Sequence, residues 1–312
     1  MTATSTARAG VLLAVVALTA AARGDTAAEP GFSGARAFRH LEALCGLGPR
    51  PTGSEAMDRQ RELLAAHFRA AGAVVEGQAF RIADRGSGGP VHVENLVVTW
   101  HPDRDERILV GAHYDTRPFP DRDPVDPRGV FLGANDGASG VALLMELGRF
   151  MPALDGPVGV DFVLFDAEEY VVAPRDPYCL GSSHFARGYA AARRAGRGQT
   201  YRCGVVVDMV ADRDLAIWQE RHSVDWPDTR PIVEAIWEVA RRRGERAFVP
   251  RPKHVVHDDH VPLRMIGGIP TCDIIDFDFP EWHTTRDTPQ ACSAESLEAV
   301  GAVLLDWLRE QR

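Results

Sequence analysis

The chain contains no tandem repeat and no low-complexity tract, which excludes a solenoid, a fibre and an extended disordered protein. Cysteine is scarce, with five in 312 residues: Cys45, Cys179, Cys203, Cys272 and Cys292. An odd count at wide spacing is no disulfide framework, and no pair has zinc-knuckle spacing. One disulfide would be compatible with export, but its partners are not readable. Cys203 and Cys272 lie in apolar, strand-like runs and read as small buried hydrophobes. Basic charge is not in surplus either: 44 Asp and Glu against 35 Lys and Arg give a net charge of -9. That balance argues against nucleic acid as a partner. Arginines gather only at 193–197 and 241–246, where they read as solvated helix C-termini. Nothing indicates an oligomer.

The longest apolar run, residues 9–22 (AGVLLAVVALTAAA), is too short to span a bilayer as a stable helix. It follows Arg8 and precedes small residues near Ala20–Ala22 and Ala27–Ala28 that could be cut. This is the pattern of a secretory leader. The expectation is a signal peptide over 1–28 and a single catalytic domain over 29–312, exported to the periplasm or the medium without stable membrane insertion. With 45% hydrophobic and 25% charged residues, the remainder can bury one full core.

The rest of the chain alternates apolar β-runs with helices. Residues 55–71 have helical periodicity between a capping Ser54 and a stopping Gly72. Strands are expected at 74–81 and 93–100 around the turn RGSGGP, and at 107–114, 158–165, 204–207 and 271–275. Helices are expected at 137–151, 182–195, 229–243 and 293–309. Such alternation implies a mostly parallel sheet covered on both faces. Ligands of such sheets bind beyond the carboxyl ends of the strands. His113, Glu168, Glu169 and Asp208 each stand just after an apolar run.

A catalytic zinc site takes imidazole and carboxylate ligands and keeps one position open. His113 and Asp115, Asp136, Glu168 and Glu169, Asp208 and His283 supply those groups. Each is weak evidence alone. Together, several carboxylates and two histidines at the ends of separate buried strands would repel one another without a cation.

The motifs GPRPTGS (48–54), GAHYDT (111–116), GANDGASG (133–140), DAEEY (166–170), VVDMV (206–210), DDHVP (258–262) and WHTTRDTP (282–289) occur in this order. From about Leu41 to the C-terminus, this series resembles the zinc aminopeptidase superfamily that also contains the animal-type glutaminyl cyclases. The resemblance implies a three-layer αβα sandwich. In the aminopeptidase branch, Asp136 would bridge two zinc ions, with His113 and Asp208 on one and Glu169 and His283 on the other. In the cyclase branch, one zinc would be held by Asp136, Glu169 and His283. All these residues are present, so the ligand set leaves both branches open. The later motifs favour the cyclase. By resemblance, Asp258 would join Glu168 and Asp208 in a proton-sharing cluster, with Glu168 as general acid and base. Crowded carboxylates cannot all ionise, so one keeps a proton. Trp282 and Phe279 would wall the pocket for an N-terminal glutamine. The implied substrates are peptide or protein N-termini and the implied cofactor is one zinc per chain, or two for an aminopeptidase. A third reading, a catalytically silent binding domain, sits poorly with a complete ligand set and Glu168.

Overall fold

Residues on three neighbouring strands alternate strictly between two cores. In the strands Glu106–His113, Gly159–Phe165 and Thr200–Asp208, one face carries Ile108, Val110, Ala112, Val160, Phe162, Leu164, Val205 and Val207. The other face carries Leu109, Val163, Phe165 and Val206. A period of two with apolar residues on both faces is what a central strand buried between helical layers needs. The computed structural model describes residue 1, residues 31–83 and residues 89–311. The expected leader over 1–28 lies outside the described residues, apart from Met1, as does most of the expected RGSGGP turn. Residues 31–312 form one compact unit.

In chain order the strands are β1 (Val74–Ala83), β2 (Pro90–Trp100), β3 (Glu106–His113), β4 (Gly159–Phe165), β5 (Thr200–Asp208), β6 (Ile217–Gln219), β7 (Phe248–Pro252) and β8 (Thr271–Ile275). The helices are α1 (Gly34–Cys45), α2 (Glu55–Ala70), α3 (Ala138–Leu147), α4 (Leu180–Arg194), α5 (Arg221–Asp225), α6 (Arg230–Arg243), α7 (His260–Met265) and α8 (Ala294–Arg309). The main sheet has the order β1-β2-β4-β3-β5-β8. Its β1–β2 and β2–β4 pairs are antiparallel, and its β4–β3, β3–β5 and β5–β8 pairs are parallel. The larger core lies under α1, α2, α3, α6 and α8, and the smaller under α4 and α7. This is the expected three-layer αβα sandwich with a mostly parallel, mixed sheet. No helix among the described residues is long and apolar enough to cross a membrane.

Two differences from the expected elements have physical causes, and a third is an added strand pair. No element is expected before residue 55, yet α1 is a full helix capped by the Ser33 side chain. It buries Ala37, Leu41 and Leu44, spaced four and three residues apart, against α3 and α8. The helix expected over 137–151 ends as α-helix at Leu147 and continues as a 3-10 turn over Gly148–Ala153, which contains Pro152. The parallel pair β6–β7 is short and stands apart from the main sheet.

One polar pair is sunk into the sheet. The Arg107 guanidinium donates to both carboxylate oxygens of Asp161, at 2.7 and 2.7 Å. Arg107 also donates to the carbonyls of His101, Trp100 and Val160, so its donors are well used. Both side chains are buried. Asp161→Ala therefore strands a cation in a dry site, and a loss of about 3–5 kcal/mol is expected. Denaturant unfolding checks this, and a loss below about 1 kcal/mol, as for a surface pair, would contradict it.

Candidate active site

The carboxyl ends of β3, β4, β5 and β8 converge on one polar basin. His113 closes β3 and Asp208 closes β5. Glu168 and Glu169 follow β4, Asp258 precedes α7, and His283 lies in the loop after β8. Asp136 enters from the turn ahead of α3. That turn needs Gly137, whose φ is 97° and whose Cβ would meet the Asp115 carbonyl oxygen at 2.4 Å. Four non-glycine residues at the basin also hold left-handed backbone: Ala167 (φ 57°), Cys179 (φ 57°), Met209 (φ 47°) and His283 itself (φ 57°). Strain of this kind gathers where the surroundings over-determine a side chain's aim.

The site residues are all buried, from 2% exposure at His113, Asp136 and His283 to 9% at Asp208. His113 Nε2 lies 3.1 Å from Asp208 Oδ1 and 3.2 Å from Asp136 Oδ1. His283 Nε2 lies 2.9 Å from Glu169 Oε1 and 3.5 Å from Asp136 Oδ2. Two potential metal-binding groups thus share Asp136: His113, Asp136 and Asp208, and Asp136, Glu169 and His283. In each, the donor atoms lie within 4.8 Å of one another. Asp136 Oδ2 and Glu169 Oε2 are buried and accept no hydrogen bond from the described residues. Buried carboxylate oxygens without donors are costly unless a cation faces them. Two carboxylates and an imidazole suit zinc, so the residues fit the ion.

Other side chains hold these groups in place. Asp115 accepts the backbone N–H groups of Glu168 and Glu169, each at 3.1 Å, which fixes the turn after β4. The Thr52 hydroxyl donates to Asp166 at 2.9 Å, and the buried Arg50 donates to the carbonyls of Gly48, Leu132 and Gly133. Those contacts explain why GPRPTGS accompanies the site although it supplies no ligand. Asp287, within WHTTRDTP, accepts the N–H groups of Asn135 (2.7 Å) and Asp136 (3.1 Å). Asp121 Oδ1 stands 3.1 Å from His283 Nδ1. A carboxylate behind a ligating imidazole sets its orientation and tautomer. Arg117 clasps Asp121 and reaches Glu169 Oε1 at 3.2 Å. Sequence reasoning missed Arg117, Asp121 and Asp287, since their partners are distant in the chain.

A second set of carboxylates adjoins the first. Atoms of Glu168, Cys179 and Asp258 lie within 4.8 Å of one another, and the Cys179 thiol donates to Glu168 Oε1 at 3.3 Å. Burial pushes the Glu168 carboxyl well above its usual range, with Glu169, Asp258 and Asp259 adding to the rise and His113 opposing it. Burial and Asp208 raise Asp258 to about 6, and burial raises Asp208. Burial also disfavours charge on His283, but Glu169, Asp121 and Asp136 overcome it and raise the ring to about 9. Glu169 is lowered, because His283 and Arg117 outweigh its burial.

The basin opens into a cavity of about 220 Å³ lined by Asp136, Glu168, Glu169, Asp208, Asp258 and an aromatic wall. The wall is Trp282, Phe277 and, at the mouth, Tyr178. Trp282 stacks obliquely on Phe277 at 4.6 Å and on the His283 ring at 4.3 Å between centroids. Phe279, expected in this wall, instead packs beneath it with Met209, Val256 and Ile275 and does not line the cavity. Phe277 and Phe279 are two residues apart in a loop, and only the packing decides which of them faces the opening. All five cysteines are free and buried, Cys203 and Cys272 as expected of small hydrophobes.

Residues 95–308 match the family model described as Peptidase family M28. The glutaminyl-peptide cyclotransferase-like protein of Mus musculus is 26% identical over 288 residues, covering 84% of this chain and 72% of that protein. The chain spans about two thirds of the length of the curated relatives it matches. Among solved structures, the glutaminyl cyclase of Fimbriiglobus ruber is 38% identical with a TM-score of 0.86, covering 92% of this chain and 98% of that one. A Zn-dependent exopeptidase from Parabacteroides distasonis is 28% identical with a TM-score of 0.83, covering 90% of this chain and 99% of that one.

Proposed function

The chain belongs to peptidase family M28, and on that premise we propose that it is a glutaminyl-peptide cyclotransferase, which converts an N-terminal glutamine to pyroglutamate and releases ammonia. The observation that carries this reading is that buried oxygens of Glu168 and Asp258 lie within 4.8 Å of each other in the lining of a small, aromatic-walled cavity. The likeness to the Fimbriiglobus ruber glutaminyl cyclase supports it.

Zinc is the cofactor of this reading, one ion per chain, held by Asp136, Glu169 and His283. A zinc ion bound there supplies Lewis acidity toward the side-chain amide carbonyl of the substrate. The chain's own residues do the rest. Trp282 and Phe277 press the glutamine side chain into a bent conformation that brings its carbonyl carbon to the free α-amine. Glu168 takes a proton from that amine as it attacks and returns it to the departing ammonia. Asp258 and Asp208, both shifted upward, hold and orient the proton between the two transfers. Arg117 and Asp121 keep Glu169 and His283 aimed inward. No water is consumed. The peptide beyond the first residue leaves through the mouth beside Tyr178. Export through a cleaved leader over 1–28 completes the reading and accords with peptide N-termini as substrates.

A second reading has one observation in its favour. His113, Asp136 and Asp208 form a donor group that shares Asp136 with the first. Two zinc ions there would suit an aminopeptidase. One assay separates the readings: a glutamine-initiated peptide is incubated with the protein, and mass, ammonia and metal content are followed. The expected result is loss of one ammonia from an otherwise intact peptide, with one zinc per chain. Stepwise release of N-terminal residues with two zinc ions would establish the aminopeptidase instead.

A further inference from the structure

A second cavity, of about 390 Å³, lies on the far side of Tyr178. The Tyr178 ring lines both cavities and is 36% exposed, so it forms the low wall between them. Tyr178 is the one described residue that lines both cavities, so a peptide whose first side chain occupies the inner cavity can carry its next residue across this ring. One side of the second cavity is apolar, built by Val171, Val172, Ala173 and Pro174. The other side carries Phe119, Pro127 and charged groups.

Those charges do not cancel. Arg117 and Asp121 are paired with each other through two hydrogen bonds, at 2.8 and 2.9 Å. Arg128 remains. Its guanidinium lies over the Phe119 ring, 4.4 Å from the centroid, and no carboxylate among the described residues forms an ion pair with it. A guanidinium that rests over an aromatic ring can still donate hydrogen bonds to a carboxylate.

We propose that this second cavity binds the residue that follows the N-terminal glutamine, and that Arg128 makes it favour an acidic side chain. The apolar side takes the methylene stem and Arg128 takes the carboxylate. The proposal rests on the cyclase reading for the identity of the first residue, and it names a substrate class which that reading leaves open.

The test is kcat/KM, from ammonia release at low ionic strength, for three matched amidated peptides that begin Gln-Glu, Gln-Gln and Gln-Lys. An exposed ion pair is modest, so the wild type is expected to prefer Gln-Glu over Gln-Lys by about fivefold. Arg128→Ala should bring that ratio close to one, and Arg128→Glu should invert it. The Gln-Gln peptide should stay within about twofold in both variants, since Arg128 is a surface side chain remote from the proton-transfer groups. Equal rates on all three peptides with the wild type would overturn the subsite and leave the cyclase intact. A ratio that survives Arg128→Glu unchanged would also overturn it. Ammonia release from none of the three would remove the cyclase reading, and the subsite with it.

Discussion

Glu168→Gln abolishes turnover and leaves zinc bound. Glutamine keeps the shape of the side chain and can still meet the Cys179 thiol, but it has no carboxylate to receive the amine's proton. The loss in kcat is expected at about 10²–10⁴-fold, the range for removal of a positioned acid or base. Zinc content should not follow, because the ligand set Asp136, Glu169 and His283 does not include Glu168. Stability should hold or rise, and the sign follows from linkage. Burial raises the Glu168 carboxyl well above its value in an unfolded chain. Such a group opposes folding progressively as pH climbs above the unfolded pKa, since the unfolded state then ionises more readily than the folded one. A neutral amide removes that penalty at pH 7. Steady-state kinetics, metal analysis and thermal unfolding on the same preparation check all three. An unchanged kcat would remove Glu168 from the chemistry. A coincident loss of zinc would mean that it serves as a ligand.

His283→Ala loses the metal, and activity falls with it. The ring approaches Glu169 at 2.9 Å and Asp136 at 3.5 Å, and Asp121 stands behind it at 3.1 Å. Alanine removes the one nitrogen donor from a set whose other members are carboxylates. Changes to groups behind a metal ligand cost about 10–100-fold in affinity, so removal of the ligand itself should cost more than about 100-fold. The substitution also deprives Glu169 of the nearer of its two cationic partners, in a place where it is 4% exposed. Equilibrium dialysis against a zinc chelator is the measurement. Retention of stoichiometric zinc at wild-type affinity would show that the ion sits elsewhere, with His113, Asp136 and Asp208 as the next place to look.

How much of this was legible depended on whether the signal was local. In β3, β4 and β5, apolar residues on both faces followed by a polar end are local facts, and they located the basin. Ser54 before α2 and Ser293 before α8 are local caps, and both side chains do accept from the first turn. The resemblance added the pairing of distant motifs that spacing alone could not supply. Where a position is decided by a neighbour far along the chain, the reading failed or was silent. Phe277, not the expected Phe279, lines the cavity because tertiary packing sets their direction. Asp287 sat inside a quoted motif, yet its acceptance of the Asn135 and Asp136 N–H groups spans about 150 residues. The insertion of β4 between β2 and β3 is likewise invisible locally, since it needs the register Leu96↔Leu164 and Ala112↔Leu164 on its two sides. Helix α1 is a different case: its apolar spacing Ala37, Leu41 and Leu44 is local, but its cap Ser33 lies close behind the expected leader.

The buried thiols turn the molecule into its own recorder of opening. Cys203 and Cys272 stand together on the paired strands β5 and β8, Cys45 and Cys292 stand together in the larger core, and Cys179 stands at the catalytic basin. Burial raises Cys45 to about 11 and Cys203 to about 12, so reactive thiolate is scarce while the chain stays closed. An alkylating reagent therefore modifies each sulfur at a pace set by how often its surroundings part. Three places are timed in parallel without any engineered label. Cys179, whose sulfur touches Glu168, keeps time for the catalytic basin, while Cys45 on α1 keeps it for the helical layer far along the chain.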